Sequence, residues 1–362
     1  PLRVLSCLFF PSFFGHQRLH PLPESKPKAT MASPLKSVMA SALIAPPLRK
    51  APTRGPNGLR PLSFYAKCMA GGVLACGVTH ASVVALDVAK CRAQAHSKSG
   101  RWPASLPASI KRILAEEGAA GLKVGWVPTF FGYGAQGLFK FGLNEFFKDV
   151  YGNAVGGEEN LGGVAKMGLW AAASGSAEIF ADIALCPFEM TKVKMQVTLP
   201  GDAGGVSKKL IPAMRDMYSM RADTKFPFGS LTPLWGRQVP YTMIKFVGFY
   251  QTADFVYDQI KARTGKSKSD LSDATQLSIT FACGYWAGIF CAIATQPMDN
   301  LVSMKGNPEN KLKSWGTMAS EMGTRDLFLK GLGTRVLMIG TLTGLQWWIY
   351  GSWKNLMGFG TQ

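Results

Sequence analysis

Three long apolar stretches of this chain end alike, and that repeat restricts the fold more than any other feature. "ALDVAKCR" (85–92), "PFEMTKVK" (187–194) and "PMDNLVSM" (297–304) each set a carboxylate, Asp87, Glu189 or Asp299, where the apolar run gives out. The acids lie 102 and 110 residues apart. Two sites carry a proline two positions before the acid, Pro187 and Pro297, and two carry a lysine three positions after it, Lys90 and Lys192. A single Pro-x-acid-x-x-Lys means little, but three acidic corners at near-equal spacing indicate a tandem repeat. Proline lacks the N–H that a helix needs and kinks it. A charge inside a bilayer has to face a partner or a water-filled cavity.

Six segments, with limits near 64–94, 127–151, 164–197, 232–260, 273–304 and 332–357, are long enough to cross a bilayer core of ~30 Å, which takes ~20 helical residues. Residues 105–118, "SLPASIKRILAEEG", form a short amphipathic helix between the first two, with Ile110, Ile113 and Leu114 on one face. Weaker connectors of the same kind follow spans three and five, at 206–220 and 312–322. The plan is long span, short surface helix, long span, three times over, with repeats at 64–160, 161–264 and 265–362. On span five Gly284, Gly288 and Ala292 make the small-xxx-small row that lets membrane helices pack closely. Composition agrees: 47% of the 362 residues are hydrophobic and 17% charged, less charge than a soluble domain usually carries.

Lys and Arg exceed Asp and Glu by 18, which suits an anionic membrane surface, an anionic substrate or nucleic acid. Nucleic acid fits poorly, since the chain has no long basic run, zinc-finger spacing or RNP-like aromatic motif. Seven cysteines without a CxxC pair read as small buried residues. Four histidines without HExxH complete a sequence in which neither metal nor other cofactor is expected. No Ser/His/Asp or nucleotide-binding constellation points to an enzyme. Part of the basic excess belongs to residues 1–63, which hold nine Lys/Arg and one acid, Glu24. From Met31 this segment is basic, rich in Ser, Ala and Pro, and free of acids, the composition of an organelle transit segment. The apolar "VLSCLFFPSFF" ahead of it allows a two-part plastid address as the alternative to mitochondrial delivery.

With these corners and this layout the chain, from about residue 64 onward, resembles the mitochondrial carrier family. The resemblance implies an all-α membrane protein whose six transmembrane helices surround a pseudo-threefold axis as three tandem repeats. It further implies that Asp87, Lys90, Glu189, Lys192 and Asp299 form a gate at the matrix end. Two departures bear on that gate. Ala85 stands where the first proline belongs, so the first helix is expected to bend less, and Val302 replaces the third basic residue. At the other end the family's aromatic-acid-x-x-basic motifs read "NEFFK" (144–148), "FYQTA" (249–253) and "YGSWK" (350–354), and only the first keeps both charges. The cytoplasmic lock is therefore expected to be weak. "CGVTHASVVALDVAK" (76–90), "GYGAQGLFKFG" (132–142), "AEIFADIALCPFE" (177–189), "RQVPYTMIKF" (237–246) and "MIGTLTGLQWWIYGSWK" (338–354) are similar to the family's phosphate-transporting members. What this implies is phosphate:proton symport, or phosphate/hydroxide exchange, at the mitochondrial inner membrane, with membrane lipids including cardiolipin as partners. A carrier of another anion or of a metal complex, and a transport-dead scaffold, are the competing readings.

The residues themselves support an anion. Pro128 and Pro233 open spans two and four, and Lys140 and Lys245 each follow twelve residues later, at matching depth in repeats of one design. Gln136 precedes Lys140 by a turn, and Arg237, Gln238 and Tyr241 lead up to Lys245. Buried unpaired charge is costly, so a cavity lined by cations wants an anion. Phosphate meets lysine as a point charge and arginine through directional hydrogen bonds. Arg335, near the start of span six, suits either binding or the gate. Glu178, Asp182 and Glu189 have offsets of four and seven and share one helical face. His80 lies seven residues before Asp87, as Asp182 lies seven before Glu189. The resemblance carries the proton route to His80 and Glu178, with Asp182 beside them, since a histidine and a carboxylate inside a membrane can exchange a proton near neutral pH.

Overall fold

The computed structural model describes residues 51–97, 100–202, 205–305, 313–329 and 331–359. The leader expected over 1–63 lies outside the described residues except for its last thirteen. Six long helical segments carry the fold: α1 (Leu62–Ser82) with α2 (Val84–His96), α4 (Trp126–Ala154), α5 (Gly163–Val197), α8 (Leu231–Thr264), α9 (Asp273–Lys305) and α12 (Leu332–Leu356). Shorter helices connect them within each repeat: α3 (Leu106–Gly121), then α6 (Leu210–Ser219) with α7 (Arg221–Thr224), then α10 (Trp315–Met322) with α11 (Thr324–Leu329). The long segments pack as a closed ring in the order α1, α4, α5, α8, α9, α12, and α12 returns to α1. Among the described residues, Leu62–Ser82, Gly163–Val197 and Asp273–Leu301 are each long and apolar enough to cross a membrane on length and composition alone. These are the odd spans. Interior charges lie on both kinds of span, Lys140 and Glu145 on α4 and Glu178 and Asp182 on α5.

Close backbone approach holds neighbouring helices together. A Cβ on Gly72 of α1 would run into the backbone of Gly137 of α4, and the converse also holds, so both positions require glycine. On α9 the expected small row meets α12: a Cβ on Gly288 would come within 2.8 Å of Gly340 Cα, and one on Gly284 within 3.1 Å of Gly344 Cα.

One expectation is corrected. The first span lacks the corner proline, yet it is the one that breaks, at Val83 with φ −100° and ψ 6°, while α5 and α9 run on through Pro187 and Pro297. The preceding turn concentrates side-chain bonds onto the helix's own carbonyls. Thr79 Oγ1 donates to the Ala75 carbonyl at 2.6 Å, Ser82 Oγ to Thr79 at 2.7 Å, and His80 Nδ1 lies 2.9 Å from the Cys76 carbonyl. Side chains that bond back onto the helix compete with its own ladder and bend it.

The short helices pack beneath the corner end in a second apolar core, where Val88, Ile113, Met195, Ala213 and Met217 are buried. Polar contacts lock it. Arg92 of α2 is fully buried; its Nε donates to the Gln196 carbonyl at 3.0 Å, and its Nη1 pairs with Glu117 of α3.

Candidate functional site

Inside the ring the corner acids divide between two cations. Lys192 Nζ lies 3.3 Å from Asp87 Oδ2 and 3.2 Å from Glu189 Oε2, bridging α2 and α5. Asp299 pairs with Arg335 of α12, whose Nη2 also donates to Thr295 Oγ1 at 2.9 Å. Of the two roles open to Arg335, this contact with a corner acid is the one that favours the gate. Lys90, expected in the same network, is exposed and forms no ion pair among the described residues, and Asp299 pairs with Arg335 instead.

Further along the axis, α4 and α5 build a polar cluster sealed from solvent. Lys140 Nζ sits 3.0 Å from Glu178 Oε1, and Gln136 Nε2 donates to Glu178 Oε1 at 2.8 Å and to Asp182 Oδ1 at 3.1 Å. All four side chains are buried, and Glu178 Oε2 and Asp182 Oδ2 have no hydrogen-bond partner. Lys140, read from sequence as a free cation, therefore has a carboxylate partner, and Glu178, read as part of the proton route, has a lysine. Neither was deducible from α4 or α5 alone, because the pair spans 38 residues and depends on how the two helices are rotated.

Lys245 differs. No carboxylate lies within 4 Å of it among the described residues; its Nζ donates to Gln346 Oε1 at 3.3 Å and lies 5.7 Å from the Tyr241 ring centre. Gln346 Nε2 in turn stands 3.4 Å from His80 Nδ1, and the His80 ring stacks on Tyr133 with centroids 3.8 Å apart. Arg237 and Gln238 are half-buried and make no hydrogen bond or ion pair among the described residues; the carboxylates acting on Arg237 are Glu189, Asp299 and Asp182. The structure thus brings Gln136, Lys140, Glu178 and Asp182 into one cluster and Lys245 and His80 into another.

Gln346 is the residue the sequence reading missed, though a signal existed. It lies five positions before Gly351 in "YGSWK", as Lys140 lies five before Glu145 in "NEFFK". The third repeat puts an amide where the first puts a cation.

An aromatic plug roofs these groups on the side away from the corners. Phe141 of α4, Phe246, Phe249 and Tyr250 of α8, and Trp347 and Tyr350 of α12 converge, with Phe249 stacked on Trp347 at 3.5 Å and 4°. Beyond it, the end expected to be weak in charge recruits basic residues from upstream of the first span. Arg60 lies 3.4 Å from Glu145 and 3.2 Å from Asp149, and Arg54 Nε lies 2.8 Å from Asp149.

Comparison with known proteins places this architecture. The family described as mitochondrial carrier protein matches residues 60–155 and 165–260. The chain is 40% identical over 342 residues to mitochondrial phosphate carrier protein 3 of Arabidopsis thaliana, covering 94% of this chain and 84% of that one. It is 44% identical over 291 residues to a mitochondrial phosphate carrier protein of Caenorhabditis elegans, covering 80% and 81%. It is also 41% identical over 291 residues to solute carrier family 25 member 3 of Homo sapiens, covering 80% and 76%. Three helix pairs closed into a ring, acidic corners bridged by cations, and these matches lead to one assignment: the chain belongs to the mitochondrial carrier family.

Proposed function

We propose that this chain carries inorganic phosphate together with a proton, or equivalently exchanges phosphate for hydroxide, across the mitochondrial inner membrane by alternating access. Phosphate delivered this way supplies ATP synthesis in the matrix. The names of relatives about 40% identical support the substrate, and the observation that carries the mechanism is the buried Lys140–Glu178 pair beside a Lys245 that has no carboxylate within 4 Å among the described residues. While Glu178 is ionised it neutralises Lys140, and the cavity offers one free ammonium. A proton delivered to Glu178 removes that counter-charge, and Lys140 joins Lys245 in holding the anion. Binding phosphate then requires the proton, and both move together. Asp182 shares Gln136 with Glu178 and so senses the same event.

Each end has its own closure. Lys192 with Asp87 and Glu189, and Arg335 with Asp299, hold the matrix side; the aromatic plug and the Arg60–Glu145 contact hold the other. Cardiolipin as a bound lipid belongs to the same reading, and no covalent chemistry does. Uptake of radiolabelled phosphate into liposomes holding the full chain tests it: uptake should rise when the outside is acidified, and absence of uptake under any gradient would sink the proposal.

A further inference from the structure

We infer that Gln346 is a positioning residue that ties the proton on His80 to the occupancy of Lys245, an inference that rests on the phosphate:proton reading. The argument begins with donors and acceptors. A lysine ammonium has three N–H donors and no acceptor, so Gln346 must offer it Oε1, which lies 3.3 Å from Nζ. That orientation commits Nε2, a donor, to the opposite side, 3.4 Å from His80 Nδ1. The same Nδ1 lies 2.9 Å from the Cys76 carbonyl, which can only accept. With the proton on Nδ1 the carbonyl is satisfied, but the Gln346 N–H meets another donor. With Nδ1 bare, Gln346 is satisfied, but a lone pair faces the carbonyl oxygen. Neither tautomer suits both neighbours while Lys245 holds the amide.

The conflict is lifted when the amide turns over. Oε1 then accepts from His80 Nδ1–H alongside the Cys76 carbonyl, and Nε2 faces Lys245. An ammonium tolerates that arrangement once its own donors have turned onto an anion. Phosphate at Lys245 therefore releases Gln346 to stabilise the Nδ1–H of His80, leaving the other ring nitrogen free to take up a proton. The charges around the ring reinforce the link. Lys140 from α4, Lys192 from α5 and Lys245 from α8 are the charged groups that face His80, and an incoming anion offsets them. Around Lys245 the other ionisable groups are Lys140, Cys76, Glu178 and Cys291, and the amide in hydrogen-bond reach of its Nζ among the described residues is that of Gln346.

The test uses the full chain in proteoliposomes with two substitutions. Gln346→Met keeps length and removes both polar atoms; Gln346→Glu accepts from both neighbours at once. Two modes are measured across a pH series: phosphate/phosphate exchange, and net phosphate uptake driven by a pH gradient. For Gln346→Met the ratio of net uptake to exchange should fall about tenfold, the scale of a lost hydrogen bond to a charged group. For Gln346→Glu the pH profile of net uptake should shift to higher pH, because the carboxylate keeps the His80 proton without an anion. Equal loss in both modes with an unmoved pH profile would show that Gln346 only packs or only binds substrate, and the inference would be wrong. Should Gln346→Met not assemble, the profile of Gln346→Glu decides alone. Wild-type chain that moves phosphate in neither mode would overturn the transport reading itself, and this inference with it.

Discussion

The ammonium of Lys140 has a carboxylate at 3.0 Å and that of Lys245 an amide at 3.3 Å, and this difference sets what each substitution does. Lys140→Ala leaves Glu178 buried without its counter-ion, and removing one partner of a buried pair costs about 3–5 kcal/mol. Lys245→Ala strands only the Gln346 carbonyl oxygen, at about 1–3 kcal/mol. Both should abolish phosphate uptake, but only Lys140→Ala should markedly lower the melting temperature in detergent, and adding Glu178→Gln to it should restore much of the loss. Equal melting of the two single variants would contradict the pairing. Glu178→Gln alone should blunt the response of uptake to an acid-outside gradient, since the amide cannot take the proton. Full uptake with unchanged gradient dependence would remove Glu178 from the proton route. The twelve-residue offset from Pro128 and Pro233 was enough to find both lysines. It could not tell which was paired, because pairing depends on a neighbouring helix whose rotation the repeat leaves open.

Helices meet where side chains allow, and two elements show how much that governs. Gly72→Val should prevent α1 from seating on α4, costing more than the about 1–3 kcal/mol typical of core overpacking, because the clash is with backbone and not with a side chain that can swing away. Gly134→Ala on α4, at the same interface, is the control: its Cβ would meet Val73 Cγ1 at an ordinary 3.4 Å and should be tolerated. A thermal-shift comparison of the two checks the assignment, and comparable losses would argue against it. The corner-end helices depend on charge instead. Desolvation raises the carboxyl of Glu117, yet Arg92 and Lys208 prevail and hold it below its ordinary value of 4.5. A carboxylate depressed in the folded state contributes stability above its unfolded pKa, and that stability is lost as pH falls through the folded one. Acid titration downward from pH 4.5 should loosen α3 from α2 in wild type, whereas Glu117→Gln should show a flatter response, read by proteolysis or hydrogen exchange in 106–121. Span limits followed from apolar runs that the structure matches within a few residues. The break at Val83 did not, since no proline marks it; the turn before it holds Thr79, His80 and Ser82 bonding their own backbone, a signal quieter than a proline.

At the scale of the whole molecule the question is where the carrier begins. Composition assigned residues 1–63 to a leader, and a basic character with Glu24 as its one acid gave no reason to divide them. Residues 54 and 60 nevertheless act on the ring: the Asp149 side chain has no solvent exposure and sits between Arg54 Nε at 2.8 Å, Arg60 Nη1 at 3.2 Å and the Tyr65 hydroxyl, which donates at 2.7 Å. Arg60 also takes Glu145, the one acid left among the three motifs at that end, and Arg54 reaches Glu158 at 3.5 Å. Span four lacks its basic residue while span six keeps Lys354, and the arginines upstream of span one add the positive charge that span four does not supply. Cutting the chain before residue 51 should leave melting and uptake intact in liposomes. Cutting it before residue 62 removes both guanidinium groups and leaves Asp149 buried with a single phenol, a cost of about 3–5 kcal/mol by the logic of a broken buried pair. Asp149→Asn tests the cause directly, because a neutral amide does not need the arginines. It should destabilise the longer chain, where it discards the pairing, and stabilise the shorter one, where it relieves an unpaired charge. That reversal of sign is the discriminating result. If both truncations melt alike, or if Asp149→Asn moves them in the same direction, residues 54 and 60 play no part in closing this end of the ring.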